Sequence, residues 1–377
     1  AGQLLAEEVQ DEELIARSMV GLAQVHHGLG DQRRAAMMAG EALQILENRP
    51  EDPSLPRALL LAATSHRLGG RPDQAADTYA RCIDVAAKQG REEFLAMARG
   101  GVGVLLADEG SLEQAVAYFS DETDFLRSQR MFPPLVATLY RLSVCRRRQG
   151  LPDLALEALD EAEDVARFAD LPFERALAAI GRAALILDLG DWVGASRLLG
   201  KARIALDQEA SVFVRMAYRD VQVQVRLAAG DRQAALAAFQ VAESEASRGG
   251  FASWGAYFSG VIGVMTGDQV AVEKAMETLG FAGDRGMMAR MCLLEATLGG
   301  DPAALVIGER EARASHNQFL LLGVLHAIGS KECRVEAGSL ARGIADRLEG
   351  EMRDRFLALP AVHWAVNGMG HNRESSV

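Results

Sequence analysis

The chain is 377 residues long, 49% apolar and 24% charged, which excludes a disordered or fibrous polypeptide. Aromatics are only 6%, Ala and Leu dominate the apolar set, and the formal charge is −12. That composition favours helix over strand and provides no net basic field to gather nucleic acid or anionic lipid.

The four cysteines, Cys82, Cys145, Cys292 and Cys333, are too scattered for a disulfide or zinc framework and read as reduced core residues of a cytoplasmic protein. The longest apolar run, Phe319 to Leu325, is too short to span a bilayer. No charged-then-apolar leader opens the chain. It begins at Ala1, inside polar helical sequence, and reads as a segment of a longer polypeptide. The preference for Arg over Lys points to a GC-rich bacterial source.

Taken in chain order, one interval governs the sequence. A Gly closes an apolar-periodic segment at Gly30, Gly70, Gly110, Gly150, Gly190 and Gly230, forty residues apart each time. Five residues after each stands Ala35, Ala75, Ala115, Ala155, Ala195 or Ala235, and nine after it Ala39, Tyr79, Phe119, Leu159, Leu199 or Phe239. Seven before it come Ala23, Ala63, Gly103, Ser143, Ala183 and Val223. The Gly ends a first helix, and Asp31, Ser111, Asp191 or Asp231 caps the second. The small residues let the two helices cross closely. Each unit is thus an antiparallel hairpin that cannot bury its apolar face alone, and stacked neighbours complete the core.

The register continues more loosely, with hairpins closing at Gly267 and Gly300 and a ninth pair spanning 316–348. The segment 352–366 is expected as a C-terminal capping helix, followed by a flexible tail over 369–377. The expectation is an all-α superhelix of about eight or nine antiparallel hairpins, one continuous solenoid over 1–368.

Small, aromatic and small positions set around a Gly-Asp turn resemble the tetratricopeptide repeat, in the long form of about forty residues. Such repeats occur in bacterial STAND-type regulatory ATPases and in kinase or ATPase fusions. The resemblance implies a scaffold for a protein or peptide, acidic or an amphipathic helix, bound on the concave wall of the first helices. It further implies the sensor or interaction module of a bacterial signalling protein, with an effector domain upstream in the same polypeptide. Alternatives are a self-assembly scaffold and a peptide-pheromone-type sensor. Projected onto this chain, the wall comprises Arg17, Gln24, Arg57, Arg67, Tyr140, Arg147, Arg148, Trp254, Tyr257 and Arg290, basic in its N-terminal half and apolar with aromatics in its C-terminal half. Further projected lining includes His27, Val104, Asp108, Val144, Ile180, Asp188, Asp220, Gln224 and Val261. The carboxylate-clamping mode of the family needs Asn on successive first helices, and the first eight have none.

No catalytic motif fits the sequence. Gly194 to Lys201 has the wrong spacing for a phosphate loop, and Gly100-Gly101-Val102-Gly103 lies within a helix rather than after a strand. With no nucleophile motif either, neither an enzyme nor a cofactor site is expected. His26 and His66 hold equivalent positions in adjacent repeats; packed imidazoles are favoured there over a metal site, with His27 exposed. Arg146-Arg147-Arg148, with Arg141 upstream, reads either as a solvated helix end or as a grip for a carboxylate or phosphate. Trp254, Tyr257 and Phe258 read as inter-repeat packing or as an aromatic anchor. Trp192 is expected under the next hairpin and Trp364 against the cap.

Overall fold

The computed structural model describes residues 11–206, 212–298 and 301–367, and among these there are twenty helices and no strand. They pair as α1 Glu12–Leu29 with α2 Gln32–Leu46, α3 Leu55–Leu68 with α4 Pro72–Lys88, and α5 Glu92–Glu109 with α6 Leu112–Ser128. Next come α7 Phe132–Arg148 with α8 Pro152–Phe168, α9 Pro172–Asp188 with α10 Trp192–Leu206, and α11 Val212–Ala228 with α12 Arg232–Gly249. The later pairs are α13 Ala252–Thr266 with α14 Gln269–Ala282, α15 Arg285–Thr297 with α16 Ala304–Ala314, and α17 Gln318–Ile328 with α18 Lys331–Ala345. Two short helices, α19 Gly350–Ala358 and α20 Pro360–Asn367, end the described chain. The fold is an all-α superhelix.

Each pair folds as its spacing dictates. Gly30, Gly70, Gly110, Gly150, Gly190, Gly230 and Gly267 all have positive φ, so the first helix can stop in one residue without a Cβ clash. Ala35, Ala75, Ala115, Ala155, Ala195 and Ala235 are fully buried where the second helix crosses the first. Tyr79, Phe119, Leu159, Leu199 and Phe239 are buried between successive pairs. Asp31, Asp191 and Asp231 accept from the backbone N–H groups of Arg34, Gly194 and Ala234. Ser111, expected to do the same, makes no such bond. Backbone bonds from Gly110 to Ala107 and from Ser111 to Leu106 hold that turn instead.

The turns between pairs repeat the same device. Positive φ recurs at Gly90, Arg130, Asp170 and Gly250, midway between the hairpin glycines. The underlying beat is therefore twenty residues, hidden from sequence because Arg130 and Asp170 replace Gly. The Gly300 turn lies outside the described residues, as does the tail 369–377. The single capping helix expected over 352–366 is two helices. Pro360 forces Leu359 into an extended backbone (φ −58°, ψ 136°), which breaks the run. Trp364 does pin the end, with the Arg334 guanidinium 4.9 Å from its ring centre and His326 edge-on at 5.2 Å.

Several packing expectations need correction. Trp192 is 42% exposed, because the first residue of α10 points outward from the turn. His27 is half-buried rather than exposed, its Nδ1 2.9 Å from Gln32 Oε1, and burial lowers its pKa. His66 is half-buried, with Nδ1 unpartnered. Cys82, Cys145 and Cys292 are core residues, and burial pushes each thiol up to about 12; Cys333 is half-exposed.

The ribbon of hairpins curls far enough to touch itself. The hairpin turns of the early repeats lie along one edge, and they meet the opposite edge of repeats about two hundred residues later. Gly30 faces Gly249, and Gly250 abuts Arg33. Gly70 abuts Ala252 and Ala282, Gly110 abuts Ala314 and Ser315, Gly150 abuts Gln318 and Ile344, and Gly190 abuts Leu359. Polar bonds cross the same seam: Arg347 to Asp153 at 3.0 Å, Arg355 to Asp191, and Arg148 Nη2 to the Ser315 carbonyl at 2.9 Å.

At these turns glycine thus serves twice, for its positive φ and for the close approach. Gly110→Ala and Gly230→Ala separate the two roles, since an alanine Cβ at 110 would overlap the Ala314 carbonyl whereas nothing lies within 4 Å of one at 230. Denaturant unfolding is expected to show a loss of about 1–2 kcal/mol for Gly230→Ala, from backbone strain alone. Gly110→Ala is expected to lose at least about 1–3 kcal/mol more through overpacking of the seam.

Candidate functional site

Curling leaves a cavity of about 280 Å³ within the superhelix, partly open to solvent and lined mainly by the first helices of repeats two to eight. Arg67 enters from α3, Asp108 from α5, and Tyr140, Arg141, Arg147 and Arg148 from α7. Asp220 lies on α11, Trp254 on α13, Asp284 on the turn before α15, and Arg290 on α15. Val104, Val144, Leu185 and Met287 make up part of the apolar wall between them.

Six of the ten projected wall residues come together here: Arg67, Tyr140, Arg147, Arg148, Trp254 and Arg290. The other four do not. Arg17 pairs with Glu13 on its own helix at 2.5 Å, and Arg57 donates to Gln24 at 3.2 Å while lying 5.5 Å from the centre of the Phe94 ring. Tyr257 is fully buried beneath the wall, edge-on to Phe239 and tilted against Phe258, so only Trp254 of that aromatic trio faces the cavity. Ile180 and Val261 are likewise core residues.

The expected division into a basic and an apolar half is replaced by an interleaving of Arg and Asp. Arg147 is not a solvated helix end; it donates to Asp188 at 2.8 Å, joining α7 to α9. Arg290 donates to both oxygens of Asp220, at 2.9 and 3.2 Å, and lies 5.7 Å from the centre of the Tyr257 ring. Burial opposes the charge on Arg290, but Asp220, Tyr257 and Asp188 outweigh it and hold the guanidinium more firmly protonated than usual. Arg148 donates to the Ala107 carbonyl at 2.6 Å and the Ser315 carbonyl at 2.9 Å, so it fastens the seam and forms no ion pair.

Several carboxyl groups in and behind the wall take up protons more readily than usual, Asp188 among them through burial despite its Arg147 partner. Asp108 is raised by burial and by the neighbouring charge of Asp284, against the pull of Arg67 and Arg148. Asp284 is raised by burial too, although its side chain caps α15 through the Met287 N–H at 3.0 Å. Behind the wall, burial pushes Glu122 up to about 7 despite the attraction of Arg141, and one of its oxygens has no partner. Glu122 fills the space above Gly100, where a Cβ would collide with it. Asp284 was not anticipated from sequence, because it falls on an irregular turn past the strict forty-residue register. No group of three or more His, Cys, Asp or Glu able to hold a metal ion is present among the described residues.

Raised acid groups give a definite pH dependence. The native chain keeps the Glu122 proton up to about pH 7, whereas the unfolded chain releases it near its ordinary value of 4.5. Stability from this group is therefore complete below about 4.5 and falls as pH rises through 7. Thermal unfolding between pH 5 and 8 is expected to show declining stability, and Glu122→Gln to flatten the decline by about 1–3 kcal/mol. A curve that keeps its slope in the variant would assign the dependence elsewhere.

No family model and no curated protein matches the sequence. Among solved structures, the chain is similar to a Rap protein complexed with Competence and Sporulation Factor, at 11% identity over 94% of this chain and 96% of that one, with a TM-score of 0.51. It is also aligned with yeast Tom70 (14% identity, 99% and 92% coverage, TM-score 0.34) and with the TPR domain of P58(IPK) (15%, 95% and 99%, TM-score 0.23). Those two superpositions are too distant to bear an argument. The first bears on the fold over nearly the whole length of both proteins. With the forty-residue register and the stacked hairpins, it shows that this chain shares the fold of that protein, an all-α superhelix of stacked helical hairpins.

Proposed function

We propose that this chain binds a peptide, or an extended segment of a partner protein, inside its superhelix, as the sensor or interaction module of a bacterial regulatory protein. The observation that carries this reading is the cavity itself. It is lined by Arg–Asp pairs, an exposed edge of Trp254 and apolar side chains, a mixture suited to a chain with both backbone polar groups and side chains. The pairs Arg147–Asp188 and Arg290–Asp220 are already formed, so the wall is rigid before a ligand arrives and little ordering cost falls on the protein side. Free, mostly buried thiols fit a cytoplasmic setting.

The narrower reading of a sensor that holds a small regulatory ligand is favoured by the structural likeness to the Rap protein, which was crystallised with Competence and Sporulation Factor. Here the closed seam limits the ligand to what fits within the curl.

Peptides selected from a random display library against the intact chain test the proposal. Trp254→Ala is expected to weaken the selected peptides at least tenfold, about 1.4 kcal/mol. Trp192→Ala, on the outside of the turn, is expected to leave affinity unchanged. Equal losses in both variants, or a loss in Trp192→Ala alone, would place the ligand outside the superhelix.

A further inference from the structure

The charged groups lining the cavity are not all paired. Arg147 and Arg290 are matched by Asp188 and Asp220, and Arg148 is engaged by two carbonyls. Two guanidinium groups remain. Arg67 and Arg141 both line the cavity, and neither makes a side-chain hydrogen bond or an ion pair to any described residue. Arg67 Nε is buried without an acceptor. The acids that attract them do not close the account: Asp108 draws on Arg67 and Glu122 on Arg141, but neither forms an ion pair with them.

A packing role does not explain the two groups. Arg67 sits in the last turn of α3, where the helix dipole favours a cation, but that field leaves its five donors unanswered. Arg141 is in the middle of α7 and lacks even that. The two charges also repel each other, and burial opposes the charge on Arg141. Enclosing unpaired guanidinium groups together is costly unless something anionic completes them.

We propose that Arg67 and Arg141 form a subsite for a carboxylate carried by the ligand, an acidic side chain or a free C-terminus. This deepens the peptide-binding reading and rests on it for the source of the carboxylate, but the subsite stands on its own chemistry. Planar guanidinium groups match a carboxylate through paired N–H donors, and two of them converging from α3 and α7 would fix one end of a ligand whose remainder runs past Tyr140 and Trp254. The position differs from a clamp built on successive repeats, because α3 and α7 belong to repeats two and four.

The subsite is tested without any peptide, with succinate as the probe, inorganic phosphate as a second anion and chloride at matched ionic strength as the reference. Succinate is expected to raise the Tm of the intact chain by a few degrees over chloride. That gain should vanish in Arg67→Gln and in Arg141→Gln, and persist in Arg17→Gln, which lies outside the cavity. Circular dichroism verifies that each variant keeps its helices, and the Arg Nε–Hε resonances of the unaltered chain should shift with succinate even if a variant fails to fold. No gain over chloride, or an equal gain in the two cavity variants, would overturn the subsite. A gain with phosphate alone would overturn its assignment to a carboxylate. A positive succinate result alongside failure to select any peptide would retain the subsite and remove the peptide reading.

Discussion

The structure depends on a close approach of backbone to backbone. Hairpin turns of the first five repeats touch the opposite edge of the ribbon about two hundred residues later, and they can do so because the facing residue is glycine at Gly30, Gly70, Gly110, Gly150 and Gly190. A Cβ at most of these positions would press on a neighbour across the seam. The requirement that ends a helix in the left-handed region and the requirement that closes the superhelix therefore fall on the same atom. Small residues opposite, Ala252, Ala282 and Ala314, complete the fit.

Closure changes the character of the inner wall. In an open solenoid the Arg and Asp side chains of the first helices would face bulk water, and their pairing would contribute little. Enclosed, they lose solvent, and pairing across repeats becomes the means of satisfying them. Arg147 reaches Asp188 over 41 positions of sequence and Arg290 reaches Asp220 over 70, so each pair ties helices that are separate in the chain. Arg148 belongs to wall and seam alike, since its two carbonyl partners lie on the α5 end and on the turn after α16. The same loss of solvent raises Asp108, Asp284 and Glu122, while Arg67 and Arg141 line the cavity without a side-chain partner.

Much of the fold was legible because local physics repeats it. Gly at each hairpin turn and Ala five residues on are demanded by single residues within one unit, and six copies in register make the demand visible. The inter-pair turns were less legible, since Arg130, Asp170 and His316 adopt positive φ without being glycine. The split of the terminal helix at Leu359-Pro360 follows a local rule and could have been read. Six of the ten projected wall residues face one cavity, because the repeat register fixes which side of a first helix points inward. What the register could not provide is curvature: the pairing of Arg with Asp, the burial of Tyr257 and the outward turn of Trp192 depend on how far the ribbon bends. Asp284 escaped notice because the later repeats shorten and the register slips.

The seam itself can be trapped chemically. Arg347 and Asp153 are in contact at 3.0 Å although 194 residues apart, and both are partly exposed. In an Arg347→Lys variant a carbodiimide would join the new amine to Asp153 as a zero-length amide, detectable by mass spectrometry of the monomer. A closed superhelix predicts a cross-linked peptide pair containing positions 347 and 153, lost when Asp153 is changed to Asn. An intact helical monomer that yields no such pair would mean that the ribbon is open in solution, and the cavity with its charge pairs would fall with it.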